Sequence, residues 1–229
     1  MKTLLNTTLS AMAAMVISFN ASASGAGVHL EAANTDITDQ ASLQRGARSF
    51  MNNCSGCHSI EFMRYNRIAK DLNISDADMA NNLMFNAEKT GSLIFSSMPE
   101  DGAKEWFGTT PPDLSLTGRA RGTDWIYTYL KGFYADETRP YGVNNHVLEN
   151  ASMPDILWKS KQDKSEKEFN QEVRDITNFL DYVSEPVKLI RVEIGFKVLG
   201  FLFILFILSY LLKQEYWKDV KYGKWRAKD

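Results

Sequence analysis

Apolar residues occur in two long runs, one near each end of the chain, and in shorter amphipathic stretches between them. The carboxyl-terminal run covers the 19 residues 194–212 and is apolar on every helix face. At about 1.5 Å per residue, such a helix is roughly 28 Å long, which is close to the hydrocarbon thickness of a bilayer. Glu193 and Lys197 stand four positions apart at its start and can pair on one helix face. The pattern predicts a transmembrane helix over residues 190–212, with a buried core helix as the alternative.

The amino-terminal run has the form of a secretory signal. Lys2 provides a charged start, an apolar stretch follows over residues 9–19, and Ala21-Ser22-Ala23 fits a small-residue cleavage site. The alternative is an uncleaved anchor, but the run is short and rich in Ala and Ser, so it would span a bilayer poorly. We therefore expect a signal peptide over residues 1–23 and an exported body over residues 24–188.

Three stretches in the first half of the body have distinct patterns. Residues 24–41 lack periodicity and predict an extended lead-in. Apolar residues at helical spacing predict a helix over residues 42–53, and the mixed stretch 59–72 is also predicted to be helical. Pro111-Pro112 then predicts an extended turn, because proline disfavours the helical conformation in the residue before it.

The second half of the body carries two predicted helices. Residues 124–133 form an aromatic helix, and Ser165 with Glu168 makes a capping box for a last helix that ends near Glu185-Pro186. The apolar positions of that last helix recur at helical spacing; they are Phe169, Val173, Ile176, Leu180 and Val183. A mostly α fold is therefore expected.

Charge gives this plan a direction. The chain has 229 residues, of which 44% are hydrophobic and 24% charged. This length is enough for one good core and too short for two large domains. The formal charge of -2 hides an asymmetry, because residues 24–188 hold 17 Lys and Arg against 24 Asp and Glu. Residues 213–229 hold six basic and three acidic residues. The positive-inside rule predicts a cytoplasmic tail and an external body, whose acidity favours a basic partner.

The candidate chemistry lies in a Cys-Ser-Gly-Cys-His motif. Cys-x-x-Cys-His is the attachment signature of a c-type haem, in which two thiols add to the haem vinyl groups and the His binds the iron. The alternatives are a redox dithiol and half of a zinc site. The chain has no other Cys, and its other His residues, His29 and His146, are distant in sequence. The motif therefore predicts one haem c, covalently bound at Cys54 and Cys57, with His58 as an iron ligand.

The sixth iron ligand has several candidates. Met98-Pro99 and Met153-Pro154 are both Met-Pro pairs, and Met153 stands before the last helix of the body, where small c-type domains place their ligand Met. We predict Met153, with Met98, His146 or an open site as alternatives. A Met and His pair raises the haem potential and suits electron transfer.

Two further groups of charged residues are candidates for binding. Arg119 and Arg121 follow the double proline, and an Arg fork is the usual partner of a carboxylate such as a haem propionate. Either Arg could instead be a plain surface charge. Residues 75–107 are acidic, which favours a solvated face, with a docking surface for a basic redox partner as the alternative.

Taken together, these segments resemble the cytochrome c1 family, the haem subunit of ubiquinol-cytochrome c reductase, in its bacterial form. The similarity covers nearly the whole mature chain. It is carried by residues 41–47, 54–65, 106–108, 111–115, 119–122, 124–134, 151–154, 178–186, 195–199 and 211–213, with Trp217. Cys-x-x-Cys-His alone marks any c-type cytochrome. Pro-Pro-Asp-Leu-Ser, the Arg pair, the late Met-Pro and a single anchor, in this order, are much more specific.

The resemblance implies a mostly α fold, with a class I cytochrome c-like haem domain that carries insertions and one carboxyl-terminal transmembrane helix. It implies six cofactor-binding residues: Cys54, Cys57, His58, Met153, Arg121 and Pro112. Among them, His58 and Met153 are the axial metal ligands, and Arg121 pairs with a propionate. The chain departs from the family at Leu148-Glu149, where many members have an aromatic-Pro pair, and at Asn66, where mitochondrial members have Arg.

The function that the resemblance implies is single-electron relay in the respiratory chain. The Rieske iron-sulfur protein would reduce this subunit beside cytochrome b, and a cytochrome c would collect the electron, in a complex that forms a dimer. No side chain of this chain would act as acid, base or nucleophile, and no nucleic acid is expected as a partner. The haem domain would lie in the periplasm, anchored in the inner membrane. The alternatives are an anchored cytochrome of another complex, such as an oxidase subunit or a free shuttle, and a haem-based sensor.

Overall fold

The computed structural model describes residues 28–223, and helices dominate this range. Two small antiparallel sheets of two strands each lie between the helices. The helices are α1 (Gln40–Asn53), α2 (Tyr65–Asp71), α3 (Asp76–Asn82), α4 (Glu100–Phe107), α5 (Thr117–Ala120), α6 (Thr123–Lys131), α7 (Trp158–Asp163), α8 (Glu166–Ser184) and α9 (Arg191–Lys221). The strands are β1 (Ile60–Arg64), β2 (Leu93–Ile94), β3 (Phe133–Ala135) and β4 (Val143–Asn145). The predicted mostly α fold is confirmed.

The core is built on the crossing of α1 and α8. The backbones approach so closely at Gly46 that a Cβ there would lie 2.0 Å from the carbonyl oxygen of Asp175, so only glycine fits. Next to this point, the rings of Phe50 and Phe179 pack with centroids 5.6 Å apart, and both side chains are fully buried. The Arg45 guanidinium caps the crossing with an ion pair of 2.6 Å to Asp175. This crossing holds α1 in place, and α1 ends at the predicted haem motif.

Both predicted body helices at this crossing are confirmed. Helix α1 begins two residues before the predicted start, because the Asp39 side chain accepts a hydrogen bond from the Ser42 amide and caps the helix. Helix α8 begins with the predicted capping box of Ser165 and Glu168 and ends at Ser184, directly before Glu185-Pro186. The capping box was therefore sufficient to locate the start of α8, whereas apolar spacing alone placed the start of α1 two residues too late.

The helix predicted over residues 59–72 is wrong in its first half. Residues 60–64 form strand β1, which pairs with β2 through Ile60 and Ile94, and α2 follows only from Tyr65. Local periodicity could not predict this pairing, because the partner strand lies some thirty residues further along the chain. The aromatic helix is confirmed as α6, but it ends at Lys131, and Phe133 belongs to β3 instead.

Helix α9 carries the carboxyl-terminal apolar run. Its most apolar window has a mean hydropathy of 2.3, and none of that window is buried in the protein. Among residues 28–223 it is the one helix long and apolar enough to cross a membrane. Glu193 and Lys197 form the predicted pair, at 2.6 Å. The bland alternative of a buried core helix is excluded by this exposure.

A short charged joint connects the body to α9. A single 3-10 turn over Pro186–Leu189 follows α8. Lys188 pairs with Asp181 at 2.9 Å, and Arg191 pairs with Glu185 at 2.6 Å. The predicted signal peptide and the last six residues of the basic tail lie outside the described residues.

Candidate functional site

The Cys-x-x-Cys-His motif forms a tight turn at the end of α1. The amides of Cys54 and Ser55 both donate to the carbonyl of Phe50, at 2.8 and 3.0 Å, and so end the helix. The amides of Cys57 and His58 then both donate to the carbonyl of Cys54, at 3.0 and 2.8 Å. Consecutive turns therefore hold both thiols and the imidazole in one short segment. Cys54, Cys57 and His58 are all half-buried, so this face of the segment is accessible to a large ligand.

The His58 ring is fixed by the double-proline segment. Its Nδ1 lies 2.8 Å from the carbonyl oxygen of Pro112, which only accepts hydrogen bonds, so Nδ1 carries the proton. Burial lowers the pKa of His58, although the Pro112 carbonyl and the Asp113 carboxylate both act in the opposite direction. The imidazole is therefore neutral, and its Nε2 lone pair is available for a metal.

The residues after Pro112 fasten this segment to the strand that follows the motif. The Leu114 amide donates to the carbonyl of Ser59 at 2.9 Å. The Asp113 carboxylate accepts from the amide of Glu61, and the buried Ser115 hydroxyl accepts from the amide of Phe62. The Pro-Pro-Asp-Leu-Ser segment is thus the clamp that carries the Pro112 carbonyl to His58. Sequence reasoning placed Pro112 at the cofactor but missed the role of Ser115 in this clamp.

The thiols do not resemble a redox dithiol. Burial raises the pKa of Cys54 to about 12, with a smaller contribution from the neighbouring Cys57, and burial raises the pKa of Cys57 as well. Reactive dithiols of the thioredoxin type have the opposite property, a lowered pKa that favours the thiolate. This disfavours the dithiol alternative.

Met153 lies in the irregular segment 146–157 between β4 and α7. Its Sδ accepts a hydrogen bond of 3.6 Å from the hydroxyl of Tyr129, which projects from α6. Burial raises the pKa of Tyr129 to about 12, so the phenol keeps the proton that it donates. Met98 lies before α4, and its amide donates to the Ser96 hydroxyl. Within residues 28–223, no hydrogen bond joins Met98 to α6. The structure thus connects Met153 to the aromatic helix.

Arg121 follows α5, two residues before the aromatic helix α6, and its side chain packs on that helix. Its guanidinium stands over the Trp125 ring, 5.2 Å from the centroid, and Trp125 stacks on Tyr129 with centroids 4.9 Å apart. The side chain is exposed, as is that of Arg119. A stacked guanidinium keeps its N–H edge free for a carboxylate. Arg121, Trp125, Tyr129 and Met153 therefore form one continuous row of contacts.

His146 takes a different position. Its ring stacks on Tyr134 with centroids 4.3 Å apart, and the residue is exposed. The residues before it, Asn144 and Asn145, are buried, and their side chains bind backbone groups of the following segment. Neither amide was predicted as a site residue, and Tyr129 was predicted only as part of the aromatic helix. The two consecutive Asn residues are visible in the sequence, but only the structure shows that they are buried and lie in strand β4.

The chemistry of these donors fits a haem c. Two protonated thiols three positions apart can add to two vinyl groups, a neutral imidazole with a free Nε2 can bind iron, and a thioether can bind it as well. The partly buried Leu114, Trp125 and Leu130 supply apolar surface against the core. Each of the six predicted residues thus has chemistry suited to this cofactor.

The chain matches known proteins over most of its length. The sequence model described as "Cytochrome C1 family" matches residues 31–220. Cytochrome c1 of Allochromatium vinosum is 51% identical over 225 residues, which cover 86% of this chain and 92% of that protein. The ammonia monooxygenase gamma subunit of Nitrosomonas europaea is 38% identical, over 91% of this chain and 96% of that protein.

A eukaryotic relative is more distant. The cytochrome b-c1 complex catalytic subunit of Candida albicans is 28% identical, over 82% of this chain and 75% of that protein. The family match spans the haem motif, the double-proline clamp, the Met153 segment and the membrane helix together. The chain belongs to the cytochrome c1 family, and is thus a membrane-anchored respiratory electron-transfer cytochrome with one covalently bound haem c.

Proposed function

We propose that this chain is the haem-bearing subunit of a quinol:cytochrome c reductase, where it accepts one electron from a Rieske iron-sulfur protein and passes it to a cytochrome c. The observation that carries the proposal is the His58 imidazole, whose Nδ1 lies 2.8 Å from the Pro112 carbonyl oxygen. This arrangement presets the tautomer that an iron ligand needs. The name of the Candida albicans relative places that protein in a cytochrome b-c1 complex, which supports cytochrome b and the Rieske protein as partners.

The roles of the site residues follow from their chemistry. Cys54 and Cys57 would bind the haem covalently, and His58 and Met153 would ligate its iron. When bound, the haem supplies an iron that gains and loses one electron. The protein holds the donors in place, so that little reorganisation accompanies the change of charge. No side chain has to transfer a proton.

Pro112 and Arg121 have supporting roles. The Pro112 carbonyl orients His58 and makes its Nε2 a better donor, because the Nδ1 proton is shared with an acceptor. Arg121, stacked on Trp125, would offer its remaining N–H groups to a haem propionate.

The topology follows from charge. Residues 1–23 are a signal peptide, residues 24–188 an exported periplasmic domain, residues 190–212 the anchor, and residues 213–229 a cytoplasmic tail. The basic tail and the acidic body support this orientation. The excess of seven negative charges on the body, part of it on α3 and α4, also suits a basic cytochrome c, whose encounter it would accelerate.

One observation favours a second candidate, an anchored cytochrome of another membrane complex. The Nitrosomonas europaea relative, 38% identical to this chain, is named as a subunit of ammonia monooxygenase. In that case the same haem domain would receive its electron from a donor other than a Rieske protein.

The test is to purify the full chain from its own membrane with an affinity tag and to identify the copurifying subunits. A reduced-minus-oxidised spectrum is then recorded with quinol as the donor. We expect a c-type haem that quinol reduces, together with cytochrome b and a Rieske protein. A haem that quinol leaves oxidised, with neither partner present, would instead support the second candidate.

A further inference from the structure

The Met153 thioether has one close polar neighbour to which the proposed function gives no role. The hydroxyl of Tyr129 lies 3.6 Å from Met153 Sδ, in hydrogen-bonding geometry. The Tyr129 side chain is only 9% exposed, so water competes poorly for the phenol. A thioether sulfur is a weak acceptor, so a phenol that donates to it makes a weaker hydrogen bond than it would make to an oxygen acceptor.

The Tyr129 ring is held on both sides. Trp125 stacks on one face, with centroids 4.9 Å apart and planes inclined by 7°, and Phe133 meets the ring edge-on at 5.3 Å. The phenol is therefore a rigid donor, fixed on α6 independently of the Met153 segment.

A second connection joins α6 to the Met153 segment, through the Asn145 side chain and the backbone carbonyl of Tyr129. The buried Asn145 side chain donates to the carbonyl of Tyr129 at 2.8 Å. Its Oδ1 accepts from the amides of Val147 and Leu148, at 2.8 and 3.3 Å, at the start of the segment that leads to Met153. Tyr129 thus holds this segment at two points: its carbonyl binds Asn145 where the segment begins, and its hydroxyl binds the Met153 sulfur.

We propose that Tyr129 is a positioning residue for Met153: the Tyr129 O–H donates to one lone pair of the Met153 sulfur, and the other lone pair would remain for the iron. The inference rests on the proposed role of Met153 as axial ligand. Because the hydrogen bond withdraws electron density from the sulfur, the thioether stabilises oxidised iron less than a free one does. The Tyr129 hydroxyl therefore raises the reduction potential of the site.

The test compares Tyr129→Phe with Tyr127→Phe in the full chain, in its own membrane. Both phenols are buried on α6, and Tyr127 contacts Lys131 and Arg174 through its ring face, which Phe keeps. Midpoint potential and the sulfur-to-iron charge-transfer band are measured. We expect Tyr129→Phe to retain haem and to lower the midpoint potential by up to about 59 mV. For one electron, this equals a change of up to about tenfold in the oxidised-to-reduced ratio at a fixed ambient potential. The charge-transfer band should shift with it.

The outcomes separate this inference from the proposed function. Met153→Leu must abolish the charge-transfer band; if it does not, Met153 is not the ligand and the site assignment itself fails. If Met153→Leu abolishes the band while Tyr129→Phe matches Tyr127→Phe in potential and band, only the positioning role is overturned. A Tyr129→Phe chain that fails to attach haem, where Tyr127→Phe succeeds, would also overturn it, in favour of a purely structural role.

Discussion

The two predicted iron ligands are held by different kinds of structure. His58 stands in a segment whose amides bond to carbonyls three to five residues earlier, at the end of α1, and a backbone carbonyl, that of Pro112, orients its ring. Met153 lies in an irregular segment that side chains hold, above all the buried amides of Asn144 and Asn145 and the phenol of Tyr129. On the His58 side, backbone bonds form the turn and orient the ring, although the side chains of Asp113 and Ser115 help to hold the Pro112 segment. The Met153 side depends on side-chain bonds that single substitutions remove.

This difference indicates how the two sides divide the work. Covalent attachment and the proximal ligand have to be present in every state of the protein, so a backbone framework suits them. As a ligand, the Met153 thioether would tune the reduction potential, and a framework of side chains would allow that potential to be adjusted without altering the attachment.

The largest effect is expected on the His58 side, from removal of both thiols. Cys54→Ser together with Cys57→Ser should eliminate covalent haem, because no thiol remains to add to the vinyl groups. Haem staining of the denatured chain measures this directly. Gly56→Ala is the matched control inside the motif, since a Cβ there would meet nothing within 4 Å. Staining that persists in the double variant would contradict the attachment.

Loss of the Met153 ligand should leave attachment intact and change the potential. We expect Met153→Leu to stain fully for haem and to lower the midpoint potential on the order of 0.2 V, as axial ligands tune haem over about 0.8 V. Met98→Leu is the control, because Met98 is the other Met-Pro residue and it lacks the bond to α6. A potential drop in the Met98 variant alone would transfer the ligand role to that residue.

A smaller effect is expected from loosening the Met153 segment without touching the ligand. Asn145→Ala removes the amide that binds Tyr129 and the two loop amides, leaving buried groups unsatisfied at a cost of about 1–3 kcal/mol. Carbon monoxide should then bind the reduced iron more readily, which optical titration detects. Asn86→Ala, at an exposed position, should bind no more carbon monoxide than the unaltered chain. Equal carbon monoxide affinity in the two variants would mean that Asn145 does not hold the segment.

The smallest effect is expected on the pH dependence of folding stability, through Tyr182 on α8, the helix that packs against α1. Burial, and then the hydrogen bond to Asp71 at 2.9 Å, raises the pKa of Tyr182 above its ordinary value of about 10. Below about pH 10 both folded and unfolded chains keep the phenol proton, so its contribution to stability is complete. Above that pH the unfolded chain loses the proton first, and stability falls by at most about 1.4 kcal/mol per pH unit until the folded pKa is passed.

Denaturant unfolding of the unaltered chain and of Tyr182→Phe, between pH 8 and pH 11.5, measures this slope. The variant should be less stable at pH 8 and should show a shallower decline above about pH 10, because one phenol no longer titrates. Tyr141→Phe, at an exposed position, serves as the control. Parallel declines in the unaltered chain and Tyr182→Phe would exclude Tyr182 as the responsible group.

Several elements were predictable because their signals are local. The capping box of Ser165 and Glu168 located the start of α8, and the apolar run located the membrane helix. The haem motif was readable for the same reason, since attachment requires five consecutive residues. The error at residues 59–72 came from β1, whose partner is distant in sequence and leaves no periodic trace.

The sequence by itself determined the covalent chemistry, the membrane anchor and the helical plan, because each depends on residue types at short, fixed spacing. Only the tertiary structure decided that the Pro112 carbonyl orients His58 and that Arg121, Trp125, Tyr129 and Met153 form one row of contacts. The partners in these contacts are up to 54 residues apart. Their meeting depends on how α1, α6 and α8 pack, which is a collective result of burial that no local pattern encodes.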